Sequence, residues 1–387
     1  MLRVLHFLPV YAPAWQFGGP ILSVSRLCEG LVQRGVDVRV ITTNAGLPDF
    51  PIQQLGHPQE INGVKVFYYA VDRQGGTISS RHLVSELSEH MKWAQILHLS
   101  SVWQPLGLSV QKAAHSFGVP VIQTLRGALG PYSWRQGWWK KVPYFWLKER
   151  PMLQTASALH CTTIQEAREI DWLGLRPPVQ ILSNPLDFNQ LQTVPQLGQD
   201  WRQRVGISLE EPLFLVAGRM HHKKGLEILP NVLKAISQRS WQIAFIGNDD
   251  DGTGLRLKLA LRRAGLTDRC HWFQHMPVDQ LSEPYNAADC LLLPSHHENF
   301  GNVVVEALAC GCGVLISDRV GVAETLRTCP GVRIIPRSTQ RWIAHLEDIL
   351  DTQRPGSIAA QWVNSTFSSE LVAKQAINIY ESVVNYG

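Results

Sequence analysis

The sequence predicts an α/β protein of two domains, each built on a parallel sheet. Three observations point there. Short apolar runs alternate with stretches of helical periodicity, the pattern of strands joined by crossover helices. The alternation lapses once, in polar, Gln-rich sequence that follows an Asn184-Pro185 turn to about residue 205, and then restarts. A length of 387 residues is enough for two separate cores. Two such units in tandem read as Rossmann-like domains facing across a cleft, with ligands at the carboxyl ends of the strands.

In the first half, 2–8, 36–43, 64–70, 95–101, 119–125 and 156–163 read as strands, and a further strand precedes the Asn-Pro turn at about 178–187. Helical patterns lie near 20–34, 80–92, 105–117 and 138–153. In the second half, strands are expected at 212–218, 241–247, 290–294 and 312–318, with helices near 224–237, 254–264, 302–310 and 339–351. A terminal helix is expected over 368–384, where apolar residues recur at helical spacing. The Gln-rich stretch reads as the linker.

Composition narrows the classes. With 45% hydrophobic and 18% charged residues, the chain is an ordinary globular protein, not a disordered one. A net charge of +4 suits anionic diphosphates or an anionic membrane surface and is too small to suggest a nucleic-acid binder. Seven scattered cysteines with no CxxC indicate a reduced, cytoplasmic protein. The N-terminal apolar run is short and broken by His6 and Pro9, so it reads as a first strand rather than a signal peptide. No stretch is apolar for long enough to span a bilayer.

Three motifs carry chemistry. In Glu298-Asn-Phe300-Gly301-Asn302-Val-Val-Val-Glu306, Gly301 permits a tight turn into a helix that Asn302 can cap. The free amides of that helix start suit a diphosphate, and the two carboxylates can accept hydrogen bonds from hydroxyls at separate points on one ligand. The same spacing equally fits a solvated loop acid followed by an acid near a helix N-terminus. In Gly218-Arg219-Met-His-His-Lys223-Lys224-Gly225, Arg219 and Lys224 bracket a strand-to-helix loop. Two cations there neutralise a leaving diphosphate, or form a plain solvated basic turn. Phe17-Gly18-Gly19-Pro20, after the first strand, allows close backbone approach to a phosphate and is also an ordinary turn. No complete GxGxxG fingerprint is present.

The run PSHHENFGNVVVEALACGCGVLISDRVGVAETL, from residue 294, resembles the E-x7-E signature of retaining GT-B glycosyltransferases, above all those of glycosyltransferase family 4. That resemblance implies a GT-B fold and a nucleotide-sugar donor site in the C-terminal half. It implies that Glu306 holds the donor's ribose and Glu298 the transferred sugar. The amides of Phe300, Gly301 and Asn302 would meet sugar and diphosphate. Gly218-Arg219 to Lys224-Gly225 matches the family's G-R-x4-K-G, which would place Arg219 and Lys224 on the donor phosphates. Gly18 and Gly19 would be the glycine loop that closes on the diphosphate. QILHLSSVW keeps only His98 and Trp103 of a softer family pattern. In VIQTLRGAL, Arg126 stands where many members place a cleft histidine; it cannot act as a base at neutral pH but can stabilise negative charge.

The resemblance implies transfer of a hexose from a UDP- or GDP-sugar to a hydroxyl of a glycan or lipid-linked acceptor, with retention. It also implies residues 1–190 plus 373–387 as the acceptor-side domain and 191–372 as the donor-side domain. A GT-B epimerase or a non-catalytic nucleotide-sugar binder is the alternative. Asp249-Asp250-Asp251 looks like a metal-binding run but reads better as a solvated turn, so no metal or other cofactor is expected. The stretch 134–146 mixes bases with aromatics. It fits either peripheral contact with the inner face of a membrane or a helix packed on its sheet with a basic solvent face.

Overall fold

The computed structural model describes residues 1–15, 18–73, 75–135 and 137–386. Phe17 of the glycine motif lies outside the described residues. The chain forms two compact units, Met1–Pro185 with Ser369–Gly387, and Leu186–Ser368. The expected domain boundaries, at 190/191 and 372/373, therefore shift. Leu186 donates its amide to the Phe367 carbonyl of the second unit at 2.8 Å, whereas Val372 is buried in the core of the first.

The first unit carries strands β1 (Arg3–Val10), β2 (Asp37–Thr43), β3 (Pro58–Ile61), β4 (Val64–Tyr69), β5 (Ile96–Leu99), β6 (Val121–Thr124), β7 (Ala158–Cys161) and β8 (Val179–Ile181). Their order is β3-β4-β2-β1-β5-β6-β7-β8, parallel except for the β3–β4 pair. The helices are α1 (Gly19–Gln33), α2 (Arg81–Trp93), α3 (Pro105–Ser116), α4 (Pro131–Arg135), α5 (Trp138–Tyr144), α6 (Arg150–Gln154) and α7 (Ile164–Ile170). The single helix expected over 138–153 is broken by a π-helical turn, Phe145–Glu149, between α5 and α6.

The second unit carries β9 (Leu213–Ala217), β10 (Gln242–Ile246), β11 (Cys270–Phe273), β12 (Cys290–Leu293), β13 (Gly313–Ser317) and β14 (Val332–Ile335), ordered β11-β10-β9-β12-β13-β14. All pairs are parallel. Its helices are α8 (Pro195–Val205), α9 (Leu229–Ala235), α10 (Thr253–Arg263), α11 (Val278–Ala287), α12 (Asn302–Ala309), α13 (Thr339–Leu350) and α14 (Ser357–Phe367). The stretch read as a linker is thus partly helix α8. Trp201 is buried in the core of the unit, and Gly198 lies so close to the Asn286 backbone that a Cβ would meet its carbonyl oxygen at 2.4 Å.

Both units are doubly wound. In each, the first strand is flanked by the second on one side and by a later strand on the other, so the winding reverses between β1 and β5 and between β9 and β12. Loops leaving adjacent strands at a reversal diverge to opposite faces of the sheet and leave a crevice at the carboxyl ends. The last helix, α15 (Ser369–Tyr386), packs on α1 of the first unit. Gly30 makes that contact close: a Cβ there would meet the Ser369 carbonyl oxygen at 2.9 Å.

Candidate functional site

The reversal in the second unit gathers the two strongest sequence motifs. The loop after β9 runs through Gly218–Gly225, and the loop after β12 runs through Ser295–Gly301 into α12. Lys224 Nζ lies 3.0 Å from Glu298 Oε2, so the two motifs meet in an ion pair of which neither partner is more than a quarter exposed. Ser295 Oγ lies 3.4 Å from the same carboxylate oxygen. The Glu298 backbone is pinned as well: its amide donates to the Arg319 carbonyl and its carbonyl accepts from the Gly321 amide.

Gly301 forms the turn into α12 with φ +97°, and a Cβ there would meet Val320 Cγ1 at 2.7 Å. Glycine is required on both counts. Gly301 is itself the cap residue and offers no side chain to cap the helix, and the first turn holds no acid. Asn302 is the first helical residue rather than the cap expected from the sequence, because the left-handed backbone of Gly301 already makes the turn. Phe300 is buried and stacks edge-on against Phe367, with its carbonyl accepting from the Val322 amide. A helix start on a rigid glycine turn is a place where backbone amides can meet an anion.

Glu306, in the second turn of α12, is buried and accepts the Tyr285 hydroxyl at 3.1 Å. Burial and the neighbouring carboxylate push the Tyr285 phenol far above its usual range. Arg219 is mostly solvent-exposed, at 74%, and pairs with Asp250 at 3.0 Å. Sequence reasoning did not find Tyr285, which lies on the unread helix α11, or the pairing role of Asp250.

The acidic run divides its work. Asp249 accepts the Leu255 amide at the start of α10, Asp250 holds Arg219, and Asp251 accepts the His222 amide at 3.0 Å and its Nδ1–H at 2.8 Å. Hydrogen bonds from Thr253 and His222 hold the Asp251 carboxyl well below its ordinary range. His221, His222 and Asp251 bring potential metal-ligand atoms within 4.8 Å of one another. His221 Nδ1 already accepts the Lys223 amide at 3.2 Å. With that nitrogen as acceptor, the neutral ring carries its proton on Nε2, the atom that would have to ligate.

The remaining expected residues belong to the first unit. Gly18 ends the loop before α1 with φ +90° and ψ −161°, a conformation open to glycine, and has nothing within 4 Å of a built Cβ; Gly19 opens the helix. Arg126 follows β6 with φ +49°. Its NH1 donates to Ser23 on α1 at 2.8 Å and to Asn184 at 3.3 Å. Desolvation lowers its pKa to about 10, which leaves it cationic at neutral pH. Arg126 is thus tied into the fold of its unit, not splayed at the surface. His98 of the softer pattern is buried between Tyr380 Oη and Thr124 Oγ1, each at 2.7 Å, and burial holds its pKa well below the usual histidine range.

Comparison with known proteins is consistent across both units. Residues 198–366 match the family described as glycosyl transferases group 1, and residues 18–185 match the glycosyl transferase 4-like domain. The chain thus carries a glycosyl transferase 4-like domain followed by a group 1 glycosyl transferase domain. The chain is 27% identical over 226 residues to a D-inositol 3-phosphate glycosyltransferase of Thermobispora bispora, a match that spans 55% of the chain and 52% of that relative. A protein of the same description from Rhodococcus erythropolis is 24% identical over 407 residues, covering 99% of the chain and 91% of the relative. Among solved structures, Anabaena HepE in complex with UDP-glucose superposes with TM-score 0.75 at 18% identity, over 99% of this chain and 100% of that one. The two Rossmann-like α/β domains with parallel sheets match the GT-B architecture of such glycosyltransferases. Among the described residues, no helix is long and apolar enough to cross a membrane.

Proposed function

We propose that the protein transfers a hexose from a UDP- or GDP-sugar to a hydroxyl of a glycan or lipid-linked acceptor, with retention, in polysaccharide or glycolipid synthesis. The observation that carries this reading is the Lys224–Glu298 ion pair at the β9/β12 reversal, beside the glycine turn that starts α12. In the reaction, a bond forms between the acceptor oxygen and the anomeric carbon as the bond from that carbon to the β-phosphate oxygen breaks. The acceptor proton passes to the leaving phosphate. Arg219, Lys224 and the amides of Phe300, Gly301 and Asn302 stabilise the developing diphosphate charge, which is the main catalytic contribution. Glu298, released as Lys224 turns to the phosphates, accepts hydroxyls of the transferred sugar. Glu306, steadied by Tyr285, accepts the ribose hydroxyls. Gly18, Gly19 and Arg126 are assigned to the donor and to negative charge on the resemblance alone. The names of the Thermobispora and Rhodococcus relatives, D-inositol 3-phosphate glycosyltransferase, support sugar transfer to a hydroxyl-bearing acceptor in general and not the glycan or lipid-linked class in particular.

The test is slow donor hydrolysis. Purified protein incubated with a panel of nucleotide sugars releases UDP or GDP from one of them, and Lys224→Ala lowers the rate by about 100-fold or more, the usual effect of removing one transition-state charge contact. Turnover of no donor by folded protein would overturn the reading. Interconversion of the sugar without release of the nucleotide would point to an epimerase.

A further inference from the structure

The aromatic-basic stretch is the largest feature that the transfer reading leaves unused. Residues 138–154 form a continuous helical segment, α5, the π turn and α6. Phe145, Glu149 and Leu153, four residues apart, face inward. Phe145 and Trp103 both pack on Trp134, with ring centroids 5.0 Å and 5.5 Å away. That inward stripe is how a surface helix holds to its domain. The opposite side should then be polar, and it is not. Trp138 is 63% exposed, Trp139 62%, Trp146 55% and Leu147 72%.

A separate element extends the patch. Trp172, 61% exposed on the short 3-10 turn Asp171–Leu173, stands against Trp134 with ring centroids 5.6 Å apart. Arg150 joins the two elements: its guanidinium lies 4.9 Å over the Trp146 ring and donates to the Gly174 carbonyl at 3.5 Å.

Over residues 135–150 the exposed charge has one sign, while Asp171 beside Trp172 is an exposed acid at the edge of the patch. Arg135, Lys140 and Lys148 are exposed, and Lys140 Nζ sits 4.6 Å from the Trp139 ring. Lys141 instead turns inward and donates to Ser133 O and Oγ. The one acid of residues 135–150, Glu149, is buried and accepts the Trp103 amide, so it contributes nothing to the outer face.

We propose that this face docks on an anionic phospholipid bilayer, with Trp138, Trp139, Trp146, Leu147 and Trp172 at the headgroup–acyl boundary. Lys140, Lys148 and Arg135 would then meet lipid phosphates. Charge complementarity decides for this occupant. Tryptophan, apolar with one N–H, settles at headgroup depth, and long basic side chains beside it keep their charges among anionic headgroups. The proposal stands independently of the transfer reading, because its test does not use activity.

The full chain is sedimented with extruded vesicles of phosphatidylcholine alone or with about one third phosphatidylglycerol. Binding is expected only to the anionic vesicles, weakening as salt is raised. The variant Trp138→Ser, Trp139→Ser, Trp146→Ser, Leu147→Ser is expected to partition about tenfold or more less strongly with an unchanged melting curve, since these side chains are exposed. If that variant does not fold, Trp139→Ser and Leu147→Ser alone are each expected to show a smaller loss in the same direction. Lys140→Gln with Lys148→Gln is expected to flatten the salt dependence. No binding to anionic vesicles, or equal binding by the serine variants, would overturn the proposal. So would gel filtration showing that the native chain dimerises and the serine variants do not, because the patch would then belong to a second copy.

Discussion

Gly301→Ala tests the turn that aims α12, and its cost can be worked from the geometry. Two terms add. An alanine held at φ +97° costs about 1–2 kcal/mol in backbone strain. Its Cβ would also lie 2.7 Å from Val320 Cγ1, which is fully buried. That is about 1 Å inside ordinary carbon–carbon contact, and overpacking of this kind costs about 1–3 kcal/mol. The stiffer unfolded chain returns about 0.5 kcal/mol. The net expectation is a loss of about 3 kcal/mol. Gly265→Ala in the same unit is the control: it has φ +77° but nothing within 4 Å of a built Cβ, so it carries strain alone, about 1 kcal/mol. Urea unfolding of the full chain with each substitution separates the terms. Equal destabilisation by the two substitutions would refute the claim that Val320 walls the turn.

Three further expectations concern chemistry and pH. Arg219→Ala should change stability by less than about 0.5 kcal/mol, because the side chain is exposed; calorimetry with the nucleoside diphosphate should nonetheless show binding weakened by about tenfold. Donor hydrolysis should persist undiminished in EDTA, since cationic side chains and amides supply the positive charge; a loss restored by a divalent ion would implicate His221, His222 and Asp251 instead. Burial raises the Glu149 carboxyl to about 7, so the folded state favours its neutral form. Stability from this group is fullest below the unfolded value of about 4.3 and falls as pH rises to 7. Glu149→Gln should therefore gain up to about 3 kcal/mol over the native chain above pH 7 and nothing near pH 4; parallel stability–pH curves would contradict this.

The central strands were legible because burial on both faces leaves an unbroken apolar run. The strands missed, β3, β11 and β14, are all sheet edges. PQEI, CHWF and VRII each carry polar residues and are only partly buried, so no apolar run marks them. Helix α8 was hidden by its glutamines. Its signal was nevertheless present: Leu197, Trp201 and Val205 recur every four residues between Pro195 at the start and Gly206 at the end. At the candidate site, local motifs marked Arg219, Lys224, Glu298 and Glu306 as candidates, because the loops after β9 and β12 hold them within short stretches. The contacts that fix those residues depend on distant sequence. Lys224 reaches Glu298 across 74 residues, Arg219 reaches Asp250 across 31, and Tyr285 comes from an unread helix. Spacing within one motif carries no information about such partners.

The central claim is that the β9/β12 reversal holds the donor's diphosphate. Hydrogen–deuterium exchange of the full chain, free and saturated with UDP or GDP, tests it most directly. Slower exchange is expected at the amides of 219–225 and 300–304, where the basic loop and the start of α12 meet the ligand. Saturation by either nucleotide with those amides unchanged, and protection confined to other parts of the chain, would contradict the account.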